Sequence, residues 1–490
     1  MPLWDFHGYD IADSIEGLVA KGNASNVGGM MIRWISLAAM VVVGVTGCSN
    51  DSSSCAQTGC DEGLVCEEVA GGDPGCFEPV VVRGSVFDLA DGSAIEGATV
   101  VALDGNRAPA STVAITDLLG NYEIQVARQR DTDGNPLGGD VTLRADAAGF
   151  QTFPSGVRQP LPIDLSEPDP MDGFLVVENA ATDVGLIALP SGAGTNEIFG
   201  TVEMPDTSTG VLVVAETTSG PEAQGFTAIA GREGSYRIFN VPDGDFTVTG
   251  YAKSVSYAAQ EVSLSGGEEA QVDLALSNDA PGTVMGSVQI VNPGAGGGTS
   301  YILVVESTFD ETLARGETPP GLRAPEGTAL IDNGDTWMIE GVPAGNYKVL
   351  GAFENDRLVR DPDFGQGNTE IIRVEVMPGQ TVEADGFKIT GALDVISPGA
   401  EGPEEVSGTP VFSWVDDSSE DRYAIEVYDT FGNVLWSDAN ILGSSGTDPE
   451  VTYAGPPLES GMYYQFRVTS FLKDRPLSRT EDLKGVFFLP

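Results

Sequence analysis

The chain has 490 residues, 24 basic against 73 acidic, for a formal net charge of -49. Self-repulsion at that level favours solubility and opposes association with anionic polymers, which excludes nucleic-acid binding and a polybasic grip on a lipid surface; divalent cations or a salt-rich milieu fit better. The length corresponds to three or four domains.

Residues 1–29 contain Asp5, Asp10, Asp13 and Glu16, which the basic leader of an export signal avoids. Met30 and Met31 both offer a start, and the expectation is that 1–29 come from an overcalled start codon. Residues 30–47 have the order of an export signal: Arg33, an apolar run from Ile35 to Val45 broken only by Ser36 and Gly44, then small residues. The run is too short to span a membrane, which takes ~20 apolar residues. Val45-Thr46-Gly47-Cys48 resembles the lipobox of bacterial lipoproteins. The resemblance implies cleavage before Cys48, a lipid on that cysteine, and the membrane as a partner through the lipid. In that family a serine such as Ser49 permits transport to the outer membrane, so the expected location is the outer membrane or cell surface. Without residues 1–47 the net charge is -47, from 22 basic and 69 acidic residues.

Residues 48–78 read as a tether and a cysteine-rich module, with Ser49 to Ser54 too polar to pack. If Cys48 carries lipid, Cys55, Cys60, Cys66 and Cys76 remain, an even number that implies two disulfides with three connectivities open. So short a segment buries no core and is ordered by its cross-links. It resembles the small cysteine knots that follow the anchor in some bacterial surface lipoproteins. A zinc site is the rival; the absence of paired Cys-x-x-Cys steps and of a nearby histidine counts against it.

From Val80 a pattern recurs three times. A strand ends in Gly84-Ser85-Val86, Gly200-Thr201-Val202 or Gly286-Ser287-Val288; an apolar β-rich run follows at Ala98 to Leu103, Val211 to Ala215 and Tyr301 to Glu306. A turn then leads to an aromatic: Gly120-Asn121-Tyr122, Gly234-Ser235-Tyr236, and Gly334-Asp335-Thr336-Trp337. The second and third copies share Val241-Pro242-Asp243-Gly244 and Val342-Pro343-Ala344-Gly345, where proline presets φ and the next glycine is expected at positive φ. The strand after the second of these alternates imperfectly, as it would with both faces covered. Short strands parted by Gly, Pro and Asp turns indicate an all-β fold of tandem β-sandwiches. The first copy resembles the carboxypeptidase regulatory-like domain, of carbohydrate-binding-like fold. Gly84-Ser85-Val86-Phe87, Ile95-Glu96-Gly97-Ala98-Thr99-Val100, Thr116 to Tyr122 and Gly149-Phe150 carry the likeness. The copies are expected at 79–192, 193–279 and 280–392, with linkers at Leu189 to Thr195 and Ser277 to Gly282 and a Gly-rich loop at Asn292 to Thr299.

A fourth sandwich is expected at 393–490. Pro410-Val411-Phe412-Ser413-Trp414 reads as a strand with Trp414 in its core, and Tyr423 to Asp429 alternates cleanly. Leu458 to Val468 resembles the tyrosine-corner strand of a fibronectin type III domain, which implies that the Tyr464 hydroxyl closes a loop.

Chemistry is sparse. The only histidine is His7, so the exported part has no Ser-His or Cys-His nucleophile and lacks the usual zinc-hydrolase ligands. No phosphate-binding glycine loop and no nucleophile elbow occurs. Asp131, Asp133, Asn135 and Asp140 offer oxygens at spacings that suit calcium, but Pro136 stands where an EF-hand loop needs glycine and no glutamate closes it; a turn-forming insertion is the simpler reading. Exposed aromatics at loop tips would serve sugar binding, with Trp436, Tyr257 and Phe309 as nominees, each expected to be half-buried instead. The reading is a non-enzymatic, lipid-anchored envelope protein, a spacer or binding platform for an envelope protein or polysaccharide. A carbohydrate-binding lipoprotein, assisted by calcium, is the alternative.

Overall fold

The computed structural model describes residue 55 and residues 59–490, apart from 138, 156–157, 192, 205–209, 219–222, 292–300, 311–314, 325–335, 352–357, 361–370, 418–419 and 444–445. The doubtful start, the export signal, Cys48, the serine tether, the loop at 292–299 and the Gly334-Asp335 step lie outside the described residues. The named elements are strands, with two single-turn 3-10 helices at Ala180–Thr182 and Glu306–Thr308. The fold is all-β. A small disulfide-bonded hairpin, Val65–Glu67 with Gly75–Phe77, precedes tandem β-sandwiches.

In the first sandwich Val80–Asp88 is central to one sheet, flanked by Asn121–Val126, Phe174–Val177 and Val184–Ala188; Thr99–Leu103 is central to the other, between Ala114–Ile115 and Thr142–Asp146. The second and third repeat this plan around Asn196–Thr201 with Val211–Thr217, and Gly282–Val291 with Tyr301–Val305. The last has a three-stranded sheet centred on Val411–Trp414. Its larger sheet holds Tyr463–Leu472, Arg422–Asp429 and Val434–Leu442.

The recurring sequence steps have a common geometry. Gly84 lies opposite Tyr122, Gly200 opposite Tyr236, and Gly286 opposite Trp337 in antiparallel register. A Cβ on Gly84 would stand 2.2 Å from the Thr182 carbonyl oxygen, and one on Gly200 2.0 Å from that of Val272. The missing side chain lets the tyrosine lie across the glycine, so that the Tyr122 hydroxyl donates to the Thr182 carbonyl (2.6 Å) and that of Tyr236 to Val272 (2.7 Å). In the third copy the indole of Trp337 fills the space and stacks on Tyr301, with ring centroids 5.5 Å apart. An aspartate that the sequence pattern did not flag completes the step. Asp183 accepts from the amide and hydroxyl of Ser85, and Asp273 from those of Thr201.

The Val-Pro hairpins meet the expectation in part. Gly244 takes the positive φ expected of it (155°) and Gly345 does not, while a left-handed residue stands two positions before each proline: Asn240 (φ 58°) and Gly341 (φ 74°), each beside a bulge in its strand pairing. A bulge needs one residue out of extended geometry, and Asn and Gly tolerate it best.

Residues 53–490 form one compact unit. The reason lies in the second sheets. Val211–Thr217 puts Val211, Val213 and Ala215 into its own core and turns Leu212 and Val214 outward, yet all five are buried. Val101 and Leu103 of the first repeat, Leu212, Val214 and Tyr251 of the second, and Tyr301, Leu303 and Tyr347 of the third belong to one apolar cluster. Tyr251 and Tyr347 meet edge to face at 6.0 Å. A strand apolar on both faces must be covered twice, here by its own partner sheet and by a neighbouring repeat.

Successive repeats also share one polar contact. The amide of Gly149 (φ 79°) donates to the side-chain oxygen of Asn240 at the bulge of the second repeat (2.7 Å), and Asn240 returns bonds to the carbonyls of Ala147 and Phe150. The amide of Ser254 (φ 63°) donates to the carbonyl of Gly341 at the bulge of the third, also at 2.7 Å. The loop after one repeat's strand thus seats on the bulge of the next, twice over.

Candidate functional site

A dense set of specific contacts lies at the base on which the N-terminal module stands. Cys55 pairs with Cys66 and Cys60 with Cys76, each at a Cα separation of 5.6 Å. All four sulfurs are thereby consumed, and the thiolates a zinc ion would need are not there. The module packs against the insertion of the first repeat through Arg130, whose side chain is almost wholly buried. Its Nε donates to Glu67 Oε2 (2.5 Å), Nη2 to the Glu78 carbonyl (2.8 Å) and Nη1 to the Gly134 carbonyl (3.3 Å), and the guanidinium lies over the Phe77 ring at 4.9 Å. The other Glu67 oxygen accepts the Arg128 amide (2.9 Å). The backbones are stitched together by the Arg130 amide to the Glu68 carbonyl and the Ala70 amide to the Arg130 carbonyl, both 2.8 Å. A desolvated ion pair persists only when its remaining donors and acceptors are met, as they are here.

The proposed calcium residues lie in the same insertion. Asp131 Oδ1 accepts the amides of Asp133 and Asn135, and Oδ2 accepts the Asn135 side-chain amide at 3.0 Å. Those bonds hold its carboxyl below the usual range, the Asn135 side-chain bond most of all. The same Asp-x-x-Gly-Asn turn recurs at Asp117 to Asn121 and Asp429 to Asn433, with the same acceptor pattern and with Gly120, Gly134 and Gly432 all at positive φ. It is a turn that caps its own backbone. Asp140 stands apart, half-buried where Val141 pairs with Ile163. Burial, then the facing Asp164 carboxylate, push its pKa to about 6 against the pull of Lys484 and Arg128. Among the described residues, the only three Asp, Glu, His or Cys groups with ligand atoms within 4.8 Å of one another are Cys55, Cys60 and Cys76, all in disulfides.

Of the aromatic nominees one is buried and two are half-buried. Tyr257 is buried and its hydroxyl donates to the Glu203 carbonyl (3.0 Å); Trp436 packs on Tyr453 at 5.3 Å; Phe309 lies against Ile302, Val304 and Leu350. Trp414 is fully buried, and the Tyr464 hydroxyl accepts the Glu459 amide at 2.8 Å, the loop closure expected of it.

Of the five buried arginines among the described residues, four join separate parts of the chain. Besides Arg130, Arg144 pairs with Asp146 of its own repeat (2.8 Å) and Glu317 of the third (2.8 Å), and bonds Thr227 of the second. Arg315 reaches Gln159 of the first repeat and Asp482 of the terminal sandwich, where Arg467 grips the same carboxylate. Arg158 donates from Nε and Nη2 to the Phe431 carbonyl (3.0 and 2.7 Å). There the tip of the third Asp-x-x-Gly-Asn turn seats Phe431 against Phe87 of the first repeat, edge to face at 5.6 Å, while the Thr430 hydroxyl donates to the Ala180 carbonyl. Nothing in the chain's local pattern marks these partners, which are up to 273 residues apart.

No protein-family model matches the chain, and no curated protein matches it. Among solved structures, similarity extends to the Bacillus anthracis TIE protein (11% identity, 87% of this chain and 73% of that one, TM-score 0.16). It extends also to BcpA, the major pilin subunit of Bacillus cereus (12%, 64% and 99%, 0.16), and the shaft pilin SpaA of Lactobacillus rhamnosus GG (11%, 41% and 98%, 0.15).

Proposed function

We propose that the chain is an exported, non-catalytic binding platform, held to the outer membrane or cell surface by lipid on Cys48, with carboxypeptidase regulatory-like repeats and a fibronectin type III-like end. The observation that carries this reading is the use to which its buried arginines are put. In a chain with so few cations, four of them rivet the module and the sandwiches into one block instead of lining a cleft. Paired cysteines fit an oxidising, extracytoplasmic compartment. The interlocking favours a platform over an extended spacer, because a spacer gains reach by keeping its modules apart. No observation specifically favours the carbohydrate-binding alternative.

Metabolic labelling with a clickable fatty acid tests the anchor. The wild-type chain is expected to carry label and sediment with the envelope, and Cys48→Ser to lose both. Label that survives in Cys48→Ser, or a native protein found in the cytosol with free thiols at Cys55, Cys60, Cys66 and Cys76, contradicts the reading.

A further inference from the structure

One outward cross-strand position on the first sheet of each repeat can be compared directly. In the first repeat it holds Arg83 opposite Glu123, an ion pair at 2.7 Å. In the second it holds Phe199 opposite Arg237, whose guanidinium lies 4.9 Å over the ring. In the third it holds Met285 opposite Met338, 40% and 51% exposed. Val284, Trp337 and Ile339 beside them point into the core and are buried, so the methionines add nothing to it. The residue next to Met285 on the other flanking strand is Glu383, and Glu340 lies one outward step along from Met338. Thr283, Ser287, Thr336 and Thr381 fill the surrounding register positions, and none of these neighbours is a cation.

Directly opposed residues in an antiparallel pair have Cβ atoms about 5 Å apart. Methionine is unbranched and adaptable, so two side chains from such a pair can turn both sulfurs onto one ion. Thioethers are soft ligands that select Cu(I) over the hard cations that carboxylates and carbonyls prefer. The carboxylates alongside, on a strongly acidic protein, supply an attractive field for any cation.

We infer that Met285 and Met338 form a surface site for a soft monovalent cation of the Cu(I) class, with Glu383 as its flanking oxygen donor. The site is independent of the lipid anchor and of the platform reading.

The test uses the full-length protein with disulfides intact and Cys48→Ser, which removes the one thiol that would compete. Cu(I) kept reduced with ascorbate is titrated against a coloured Cu(I) chelator, and Ag(I) serves as a redox-inert second probe. The expected result is a single equivalent of either ion. Met285→Leu with Met338→Leu, which keeps volume on an exposed face, weakens uptake by at least about tenfold, the scale on which lost metal-site groups act. Met171→Leu with Met377→Leu, at two other exposed methionines, leaves uptake unchanged. Equal uptake by the Met285/Met338 variant, or no uptake by the parent, overturns the inference. An unchanged melting temperature in both double variants shows that any loss is not unfolding.

Discussion

The strand Val211–Thr217 of the second repeat has no polar face along its first five residues, whereas Arg422–Asp429 of the terminal sandwich alternates, with Tyr423, Ile425 and Val427 inward and Glu426 exposed. The two junctions differ accordingly. The repeats meet through a shared apolar cluster. The terminal sandwich meets them mostly through directed contacts, the carbonyls gripped by Arg158 and Thr430 and the Arg315–Asp482 pair, with Phe431 on Phe87 and Tyr463 on the first repeat's core as apolar contacts. An apolar junction is non-directional and scales with the area it removes from water, while a polar one depends on a few groups in register. The repeats should therefore unfold together, and the terminal sandwich should be able to detach from them without unfolding.

The largest effect is expected at the apolar junction. Val214→Asp buries an unpaired charge between two repeats and should cost about 4 kcal/mol or more, with loss of a cooperative urea transition. Val434→Asp, on the exposed edge strand of the terminal sandwich, should cost no more than about 1 kcal/mol. Comparable losses from the two would erase the distinction.

Next comes the base of the N-terminal module. Arg130→Ala leaves Glu67 buried and unpaired, a change expected to cost about 3–5 kcal/mol. Hydrogen exchange at residues 65–77 should rise while that of the third repeat stays put. Adding Glu67→Leu should restore part of the loss, because the stranded charge, more than the missing contact, is what destabilises.

At the polar junction, Arg158→Ala with Phe431→Ala removes a carbonyl clamp and a ring contact, worth about 1–3 kcal/mol together. The expected signature is local: greater exchange around Phe87 and Ala180 and freer motion of the terminal sandwich, with its own melting unchanged. Global unfolding would instead show that the terminal sandwich is needed for the repeats to fold.

The smallest effect concerns pH. Asp140 has a native pKa of about 6, raised above the ordinary carboxyl value by burial and by Asp164. A raised carboxyl pKa gives stability that is fully present below the unfolded value and is lost as pH rises through about 6. Asp140→Asn should therefore flatten the stability profile between roughly pH 4 and pH 6 and leave the protein more stable than wild type at pH 7. A variant less stable at neutral pH would show that the charged form is favourable at this junction, through Lys484 and Arg128.

The local elements were readable in the chain. The glycine-to-aromatic steps, the Val-Pro hairpins, the Trp414 core and the Tyr464 loop closure all depend on residues close in sequence or on a repeated pattern, and short-range sterics leave few ways to satisfy them. The imperfect alternation of the strand after Val342-Pro343-Ala344-Gly345 also indicated that both faces would be covered, without saying by what. The left-handed positions Asn240 and Gly341 were missed because proline and glycine draw attention to the turn, whereas the bulge beside it depends on strand pairing. Asp131 is open to two readings in the sequence, because an aspartate that caps a turn and one that binds calcium have the same spacing. What could not be read was Arg158 with Phe431, or Arg144 with Glu317: a lone arginine carries no mark of which distant carbonyl or carboxylate it will meet.

Small-angle scattering from the full-length protein with Cys48→Ser tests the central claim most directly. An interlocked block gives a single-maximum distance distribution and a radius of gyration of about 22–25 Å for a body of this size. A radius roughly twice that, with separate maxima from sandwiches strung end to end, would contradict it.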